Sequence, residues 1–308
     1  MSDKPIICVG AALIDDIYIC NEKPLSGTSN PATFQRSPGG VARNIAHHLS
    51  LLGNNVELIT HLGNDIDGQF LIEQCKSSGI SIVHSKVNQT ATGHFVALLS
   101  PDGNLFAGAV STHFETEIDV PFLTSKISIL ASASILLIDC NLSIESLNWL
   151  LDLSRDKNIP CIIDPVSVPK AGKLLSVNLK DVLLITPNYE EMEFISGKQT
   201  VNSIDASIGE LKKRGVQNIW FRNGKNGSRM FTNNEVINLP APQVTVVDSV
   251  GAGDAALAGW IHACILNKTN IECMRYGHAL ASLVLQSKGS VAENVDSAVL
   301  EKISETIR

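Results

Sequence analysis

Apolar and polar residues alternate along the chain with two different periods. Short runs rich in β-branched residues predict buried strands at 6–10, 56–60, 133–139, 160–164 and 181–186. In residues 39–53 the apolar positions instead fall about one helical turn apart, and Gly53 stands where that helix should end. Alternating strands and helices are typical of an α/β protein with a mostly parallel sheet between two helical layers. The sequence therefore predicts a three-layer, Rossmann-like fold whose ligands gather at the carboxyl ends of the strands.

Two segments, 12–38 and 90–114, lack the helical period. The second contains Pro-Asp-Gly-Asn at 101–104 between two alternating apolar runs, which is a hairpin signal. Together the segments predict a small β-sheet lid over one end of the main sheet. A further hairpin is predicted at 228–239, turning at Asn233 and Asn234. Because no tandem repeat or flexible linker occurs, we expect one domain over 1–308 that includes this lid.

The composition favours a protein that acts on small molecules. The 308 residues are 44% hydrophobic, and 24 Lys and Arg against 31 Asp and Glu give a net charge of −7. That balance offers no basic surface for a nucleic-acid polymer or an anionic membrane. The seven cysteines are scattered without C-x-x-C spacing, which predicts reduced thiols in the core. Because acidic residues come too early for a signal peptide and the longest apolar stretch is too short to span a membrane, we expect a cytoplasmic protein.

The stretch DSVGAGDAAL at 248–257 combines the smallest side chains with two carboxylates. A strand-like run at 245–250 precedes it and helical spacing follows, which predicts a strand-to-helix turn. Small residues let main-chain amides at a helix start approach a phosphate closely. Asp254 would then accept a proton from a substrate hydroxyl, while the amides of Gly251, Ala252 and Gly253 stabilise the transferred phosphoryl group.

Two other interpretations of this stretch exist. Asp254 could simply complement the helix dipole, which is worth about 0.3–1 kcal/mol. GAGDAA also fits the dinucleotide-binding pattern G-x-G-x-x-G/A, with Glu272 near the distance expected for a ribose carboxylate. Residues 271–286 have helical spacing, however, whereas a Rossmann unit needs a strand ending at that glutamate. We therefore favour phosphoryl transfer.

Three more polar groups follow predicted strands. Asn188 and Glu191 have capping-box spacing, and could alternatively hold Mg²⁺ through water beside a triphosphate. Gly39, Gly40 and Asn44 open a predicted helix and suit the close approach of a polyhydroxyl ligand, although they could also form an ordinary loop. Asp15 follows the first strand, where a carboxylate can accept hydrogen bonds from two neighbouring hydroxyls of a sugar.

The order of these motifs resembles the PfkB (ribokinase-like) family of sugar and nucleoside kinases. The match covers nearly the whole chain: Gly-Gly near 40, N-x-x-E near 190 and D-x-x-G-A-G-D near 250. The resemblance implies a ribokinase-like fold, ATP as phosphoryl donor, Asp254 as base and Mg²⁺ near Asn188 and Glu191. It also implies that Asp248 assists the sugar or a nearby monovalent cation site, which makes K⁺ a candidate.

Further roles come from the resemblance alone. It assigns the sugar to Asp15, Gly39, Gly40 and Asn44, with Asp248 beside them. On the nucleotide side it assigns Arg222, Gly224, His278 and Gly289. Lids in this family often pair, so a homodimer through the lid is the candidate assembly.

Shorter motifs at 28–31, 138–143 and 164–170 (TSNP, IDCNLS and DPVSVPK) resemble the pseudouridine kinase branch of the family. They imply phosphorylation of the 5′-hydroxyl of pseudouridine, and offer Asn30, Asp139, Asn141 and Lys170 as candidates for binding the base. The alternatives are a kinase of another nucleoside or of ribose or fructose, and a catalytically silent sugar or nucleoside sensor. Several residues depart from the family pattern, namely Leu13, the GGVAR at 39–43, Ser249 and Arg222. Leu13 and the GGVAR stretch argue against simple ribokinase activity.

Overall fold

The computed structural model describes residues 4–195 and 204–308, which form three sheets, of eight, four and two strands, and several surrounding helices. The strands are β1 (Ile6–Val9), β2 (Leu13–Cys20), β3 (Ala32–Gly39), β4 (Val56–Ile59), β5 (His61–Gly63), β6 (Lys86–Asn88), β7 (His94–Leu99), β8 (Leu105–Ser111), β9 (Ile135–Asp139), β10 (Cys161–Asp164), β11 (Leu184–Ile185), β12 (Asn218–Arg222), β13 (Ser228–Phe231) and β14 (Val236–Leu239). The helices are α1 (Val41–Leu51), α2 (Ile66–Ser77), α3 (Phe114–Glu117), α4 (Val120–Ser125), α5 (Ile127–Leu130), α6 (Ile144–Lys157), α7 (Val168–Ala171), α8 (Tyr189–Ile195), α9 (Ile204–Lys213), α10 (Ala252–Ile265), α11 (Asn270–Leu285) and α12 (Ser297–Thr306).

The larger sheet has the strand order β14-β13-β12-β11-β10-β9-β1-β4. From β4 to β12 all neighbours are parallel, whereas β13 and β14 are antiparallel. Successive residues of β1 contribute to opposite cores: Ile6 and Cys8 to one, Ile7 and Val9 to the other. This explains the continuous apolar runs in the sequence, because a parallel sheet covered by helices buries both faces. The predicted fold class is confirmed.

The smaller sheet has the order β3-β2-β7-β8 and comes from the two segments without helical period. Gly103, with φ +81°, forms part of the turn between β7 and β8, as the Pro-Asp-Gly-Asn signal predicted. Arg36 and His94 each bridge Asp16 and Asp67, at distances of 2.7–3.1 Å. Since Asp67 lies on α2, these contacts join the small sheet to that helix.

The predicted strand at 245–250 is wrong. These residues are irregular, and Val246, Val247 and Val250 are exposed. The Val247 amide donates instead to the Leu285 carbonyl at the end of α11, 2.7 Å away. β-branched residues favour a strand only where neighbouring side chains pack against them, and no strand among the described residues pairs with this segment. Among the described residues, no helix is long and apolar enough to cross a membrane.

Candidate active site

The first turn of α10 is built around a left-handed glycine. Gly251 caps the helix with φ +77°, and a Cβ placed on it would lie 2.3 Å from the Ser290 carbonyl oxygen. Only glycine fits this turn without strain. The amides that follow, from Ala252 and Gly253, lie at the helix start, where the amides lack intrahelical partners and attract anions. The turn thus has the geometry of a phosphate site.

Asp254 lies in this same turn and is largely shielded from water. Burial raises its pKa to about 7, and the nearby carboxylate of Asp164 adds to the effect. The Asn44 side-chain amide opposes this rise by donating from Nδ2 to Asp254 Oδ2 at 2.8 Å. A carboxylate with a pKa near neutrality suits a general base.

Four residues predicted to bind the sugar, Asp15, Gly39, Gly40 and Asn44, lie around the start of α1, and Asn44 contacts Asp254. Asp15 packs so closely on Gly39 that a Cβ there would lie 2.1 Å from a carboxylate oxygen. Gly40 has φ +97° and approaches the Ala11 carbonyl oxygen, so a side chain at this position is excluded. Burial raises the pKa of Asp15 to about 6, with Arg43 opposing. Asn44, in the first turn of α1, links this group to α10.

Asn188 and Glu191 form the capping box that their spacing allowed. Asn188 Oδ1 accepts from the Glu191 amide at 2.8 Å, and Glu191 Oε2 accepts from the Asn188 amide at 3.0 Å. Burial raises the pKa of Glu191 to about 7, and Asp164 raises it further. Two neighbouring buried carboxylates are the kind of site that a divalent cation stabilises. Capping and cation binding are therefore compatible here.

Arg222 lies between these two groups. Its guanidinium donates to the carbonyl oxygens of Gly253 at 2.7 Å and Thr186 at 2.6 Å, and to Asp164 Oδ2 at 3.3 Å. It therefore ties the end of the parallel sheet to the first turn of α10. A nucleotide contact from this side chain stays a prediction.

Asp248, predicted for the sugar or a cation, and the remaining predicted nucleotide residues, Gly224, His278 and Gly289, are spread over three loops and a helix. Asp248 accepts from the amides of Val250 and Gly289, so the loops before α10 and after α11 are joined. Gly224 opens a short 3₁₀ turn and has open space where a Cβ would lie. His278 is buried in α11, stacked on Trp220 and hydrogen-bonded to Ser228 Oγ at 2.8 Å. Its direct role toward a nucleotide is untested.

The four candidates for binding a base differ in their surroundings. Asn30 makes local bonds with Leu25 and Thr28 within one turn. Asp139 is fully buried and accepts from the amides of residues 11, 42 and 141. Asn141 and Lys170, in contrast, pair with each other through their side chains beyond the carboxyl ends of β9 and β10.

Sequence reasoning missed three residues of the site. Arg43 is buried in α1, Asp164 ends β10, and Ser290 lies against Gly251 and Asn44. Asp164 had a signal, since an aspartate directly follows the apolar run at 160–163. Arg43 had none, because an arginine one turn into a helix is ordinarily exposed.

Comparison with known proteins decides the family. Residues 3–297 match the pfkB family of carbohydrate kinases. This chain belongs to that family. It is therefore a phosphotransferase that acts on a hydroxyl group.

Individual relatives in the pfkB family are distant. A pseudouridine kinase of Escherichia coli is 28% identical over 303 residues, covering 97% of this chain and 95% of the relative. An uncharacterized sugar kinase of the same organism, YeiI, is 28% identical over 288 residues, covering 90% of this chain and 77% of the relative. The structure of Arabidopsis thaliana ribokinase complexed with ribose and ATP aligns with a TM-score of 0.85 at 24% identity, covering 99% of each chain. That alignment confirms the ribokinase-like fold.

Proposed function

We propose that this pfkB kinase transfers the γ-phosphoryl group of ATP to the 5′-hydroxyl of pseudouridine, giving pseudouridine 5′-phosphate and ADP. The observation that carries the proposal is the 2.8 Å hydrogen bond between Asn44 and Asp254. It joins a cluster suited to a sugar with a carboxylate suited to a general base. A sensor would need no such base.

The chemistry follows from this juxtaposition. With Asp15 binding other hydroxyls of the sugar, the 5′-hydroxyl gives its proton to Asp254 as its oxygen attacks the γ-phosphorus. The bond from phosphorus to the β–γ bridging oxygen breaks, and ADP leaves. The amides at the start of α10 stabilise the charge on the transferred group. Because these amides are fixed by the turn at Gly251, they need no rearrangement during the reaction.

Magnesium is the cofactor that the carboxylates fit. Glu191 and Asp164 each favour a nearby cation, and Mg²⁺ commonly binds through one or two carboxylates, water and substrate phosphates. Bound there, the ion would supply positive charge to the phosphates of ATP. Glu191 would contact it through water. Potassium near Asp248 is a further proposal, supported by the two loops that this carboxylate joins.

The pair formed by Asn141 and Lys170 supports a nucleoside over a free sugar as the acceptor. An ammonium has three donors, so Lys170 can bind Asn141 and also donate to a carbonyl of the uracil ring. The Escherichia coli pseudouridine kinase among the relatives supports the same acceptor. Ribose or fructose would leave this pair without a ligand. Another nucleoside remains the second candidate.

An acceptor panel tests the proposal. We expect the highest kcat/KM with pseudouridine when ADP release is followed with Mg-ATP and pseudouridine, uridine, adenosine, ribose or fructose. Asp254→Asn should lower kcat by about 10²- to 10⁴-fold, because the proton acceptor is lost. Titration calorimetry should show nearly unchanged ATP affinity. Asp152→Asn, an exposed carboxylate on α6, is the matched control and should leave kcat unchanged.

Three outcomes would contradict the proposal. Turnover with ribose or fructose alone would reject a nucleoside as acceptor. No ADP release with any acceptor would favour the sensor. An equal loss of ATP affinity in Asp254→Asn would give this carboxylate a structural role.

Assembly and location are proposed on separate grounds. Leu105, Phe106 and Val110 of the edge strand β8 are exposed, and exposed apolar edge strands tend to pair with another chain. We therefore propose a homodimer through the small sheet. The seven cysteines are free thiols, which supports a reducing compartment such as the cytoplasm.

A further inference from the structure

A charged guanidinium is buried beside the proposed sugar site. Arg43 is 3% exposed although arginine stays charged at every physiological pH. Its NH1 donates to the Pro38 carbonyl at 3.1 Å and to Asn44 Oδ1 at 2.8 Å, and its NH2 contacts His47 Nδ1 at 3.1 Å. A buried charge is costly unless such partners stabilise it. Its burial therefore calls for an explanation beyond helix packing.

The contact with Asn44 fixes which way that side-chain amide faces. A guanidinium only donates hydrogen bonds, so Asn44 must turn its oxygen toward Arg43 and its NH₂ toward Asp254. Ser290 Oγ also donates to this oxygen, at the longer distance of 3.3 Å. Reversing the amide would place an NH₂ group against a guanidinium and a carbonyl oxygen against a carboxylate. Arg43 thereby determines that Asp254 receives a hydrogen bond.

We propose that Arg43 is a positioning residue, which holds the Asn44 amide in place and so orients Asp254 toward the acceptor hydroxyl. This inference rests on the proposed role of Asp254 as base. The substrate need not touch Arg43. The chain of contacts runs from Arg43 to Asn44 and then to Asp254.

Charged groups from several elements surround Asp254. Asp164 and Asp139 lie at the ends of two strands and raise its pKa, while Arg222 on β12 and the Asn44 amide lower it. Arg43 on α1 is also close enough to interact with it. Loss of Arg43 removes one positive charge and frees the amide to turn. Both changes should make Asp254 harder to ionise.

The test replaces Arg43 with methionine and with lysine. In Arg43→Met we expect kcat with the accepted substrate to fall about 10- to 100-fold, because a charge-assisted contact is lost. The acid limb of the kcat profile should rise by about one pH unit. The KM for ATP should stay within about threefold. Arg43→Lys keeps the positive charge but loses the planar guanidinium with its paired N–H donors. Its kcat and its acid limb should therefore lie between those of Arg43→Met and those of the unaltered protein.

A second measurement does not depend on the substrate. The ¹³C NMR titration of the Asp254 carboxyl, assigned by comparison with Asp254→Asn, should show a higher pKa in Arg43→Met than in the unaltered protein. His47→Leu is the matched control, since it removes another partner of Arg43 and leaves the contact with Asn44. This control should leave the Asp254 titration unshifted.

The outcomes separate this inference from the proposed function. If Arg43→Met folds and its Asp254 titration is unchanged, the inference is overturned, whichever acceptor is used. If Arg43→Met does not fold, an unchanged titration in Arg43→Lys overturns it equally. If the titration shifts but pseudouridine is not phosphorylated, only the proposed acceptor fails.

Discussion

At the scale of single residues, burial determines the chemistry of this site. Asp254, Glu191 and Asp15 are ordinary carboxylates in the sequence, yet burial raises their pKa values to about 7, 7 and 6. Asp16, next to Asp15, has a lowered pKa because Arg36 donates to it. These neighbouring acids thus differ because burial dominates the pKa of Asp15, whereas the hydrogen bond from Arg36 dominates that of Asp16.

The pH dependence of turnover should reflect Asp254. A base works only when ionised, so kcat should fall about tenfold per unit as the pH drops below about 7. Initial rates with saturating Mg-ATP between pH 5 and 9 would measure this. The acid limb of the profile could be moved by Glu191→Gln while the Asp254 carboxyl still titrates near 7 by NMR. That result would assign the acid limb to Glu191 instead of Asp254.

The same shift predicts a stability effect of opposite sign. The unfolded carboxyl of Asp254 ionises near its ordinary value of about 4, and the folded one near 7. Between these values the folded state binds more protons, so the contribution of Asp254 to stability falls as the pH rises. Asp254→Asn should therefore raise Tm more at pH 8 than at pH 5, measured by calorimetry. An equal change at both pH values would contradict this.

At the scale of elements, the start of α10 decides the site. The helical period predicts that a helix begins near Gly251, but the turn before it depends on contact with Ser290. The sequence favoured a strand at 245–250 because the segment is rich in valine, but within residues 4–195 and 204–308 no β-strand pairs with it. The local sequence pattern thus predicted the helix correctly and the segment before it wrongly.

Gly251→Ala tests this turn. We expect a loss of at least about 1 kcal/mol in the free energy of unfolding, because an L-residue is strained at positive φ. The new Cβ would also lie 2.3 Å from the Ser290 carbonyl oxygen. Urea unfolding measures the loss, and kcat should fall as the first turn shifts.

The control for that substitution is Gly209→Ala in α9. A Cβ there meets no atom within 4 Å, and alanine favours a helix over glycine by up to about 1 kcal/mol. This variant should therefore be as stable as the unaltered protein or more so. Equal stability in Gly251→Ala would show that the turn tolerates a side chain.

At the scale of the whole molecule, the large and the small sheet differ in how far their strands are buried. The central strands of the large sheet are buried on both faces, whereas β8 of the small sheet is exposed along its length. Arg36 and His94 hold the small sheet to α2, beside the strand that carries Asp15. The position of Asp15 therefore depends on the small sheet and on α2.

The proposed dimer predicts a mass near twice the 33.1 kDa of one chain by light scattering at tens of micromolar. Phe106→Asp should give monomers, because a charge in an apolar interface is costly. Val236→Asp, at a comparably exposed position on β14, is the matched control and should leave the mass unchanged. A monomeric unaltered protein would exclude this assembly.

The sequence by itself determined the alternation of strands and helices, the small sheet, and the motifs around Gly40, Asn188 and Asp254. It could do so because periodicity and glycine-rich turns are local properties of the chain. Only the tertiary structure brought Asn44 within 2.8 Å of Asp254, buried Arg43 behind that contact, and turned Arg222 onto Gly253. Asn44 and Asp254 are 210 residues apart, so no local pattern encodes their contact. The pKa values near neutrality likewise arise from burial among distant neighbours, which exists only after the chain has folded.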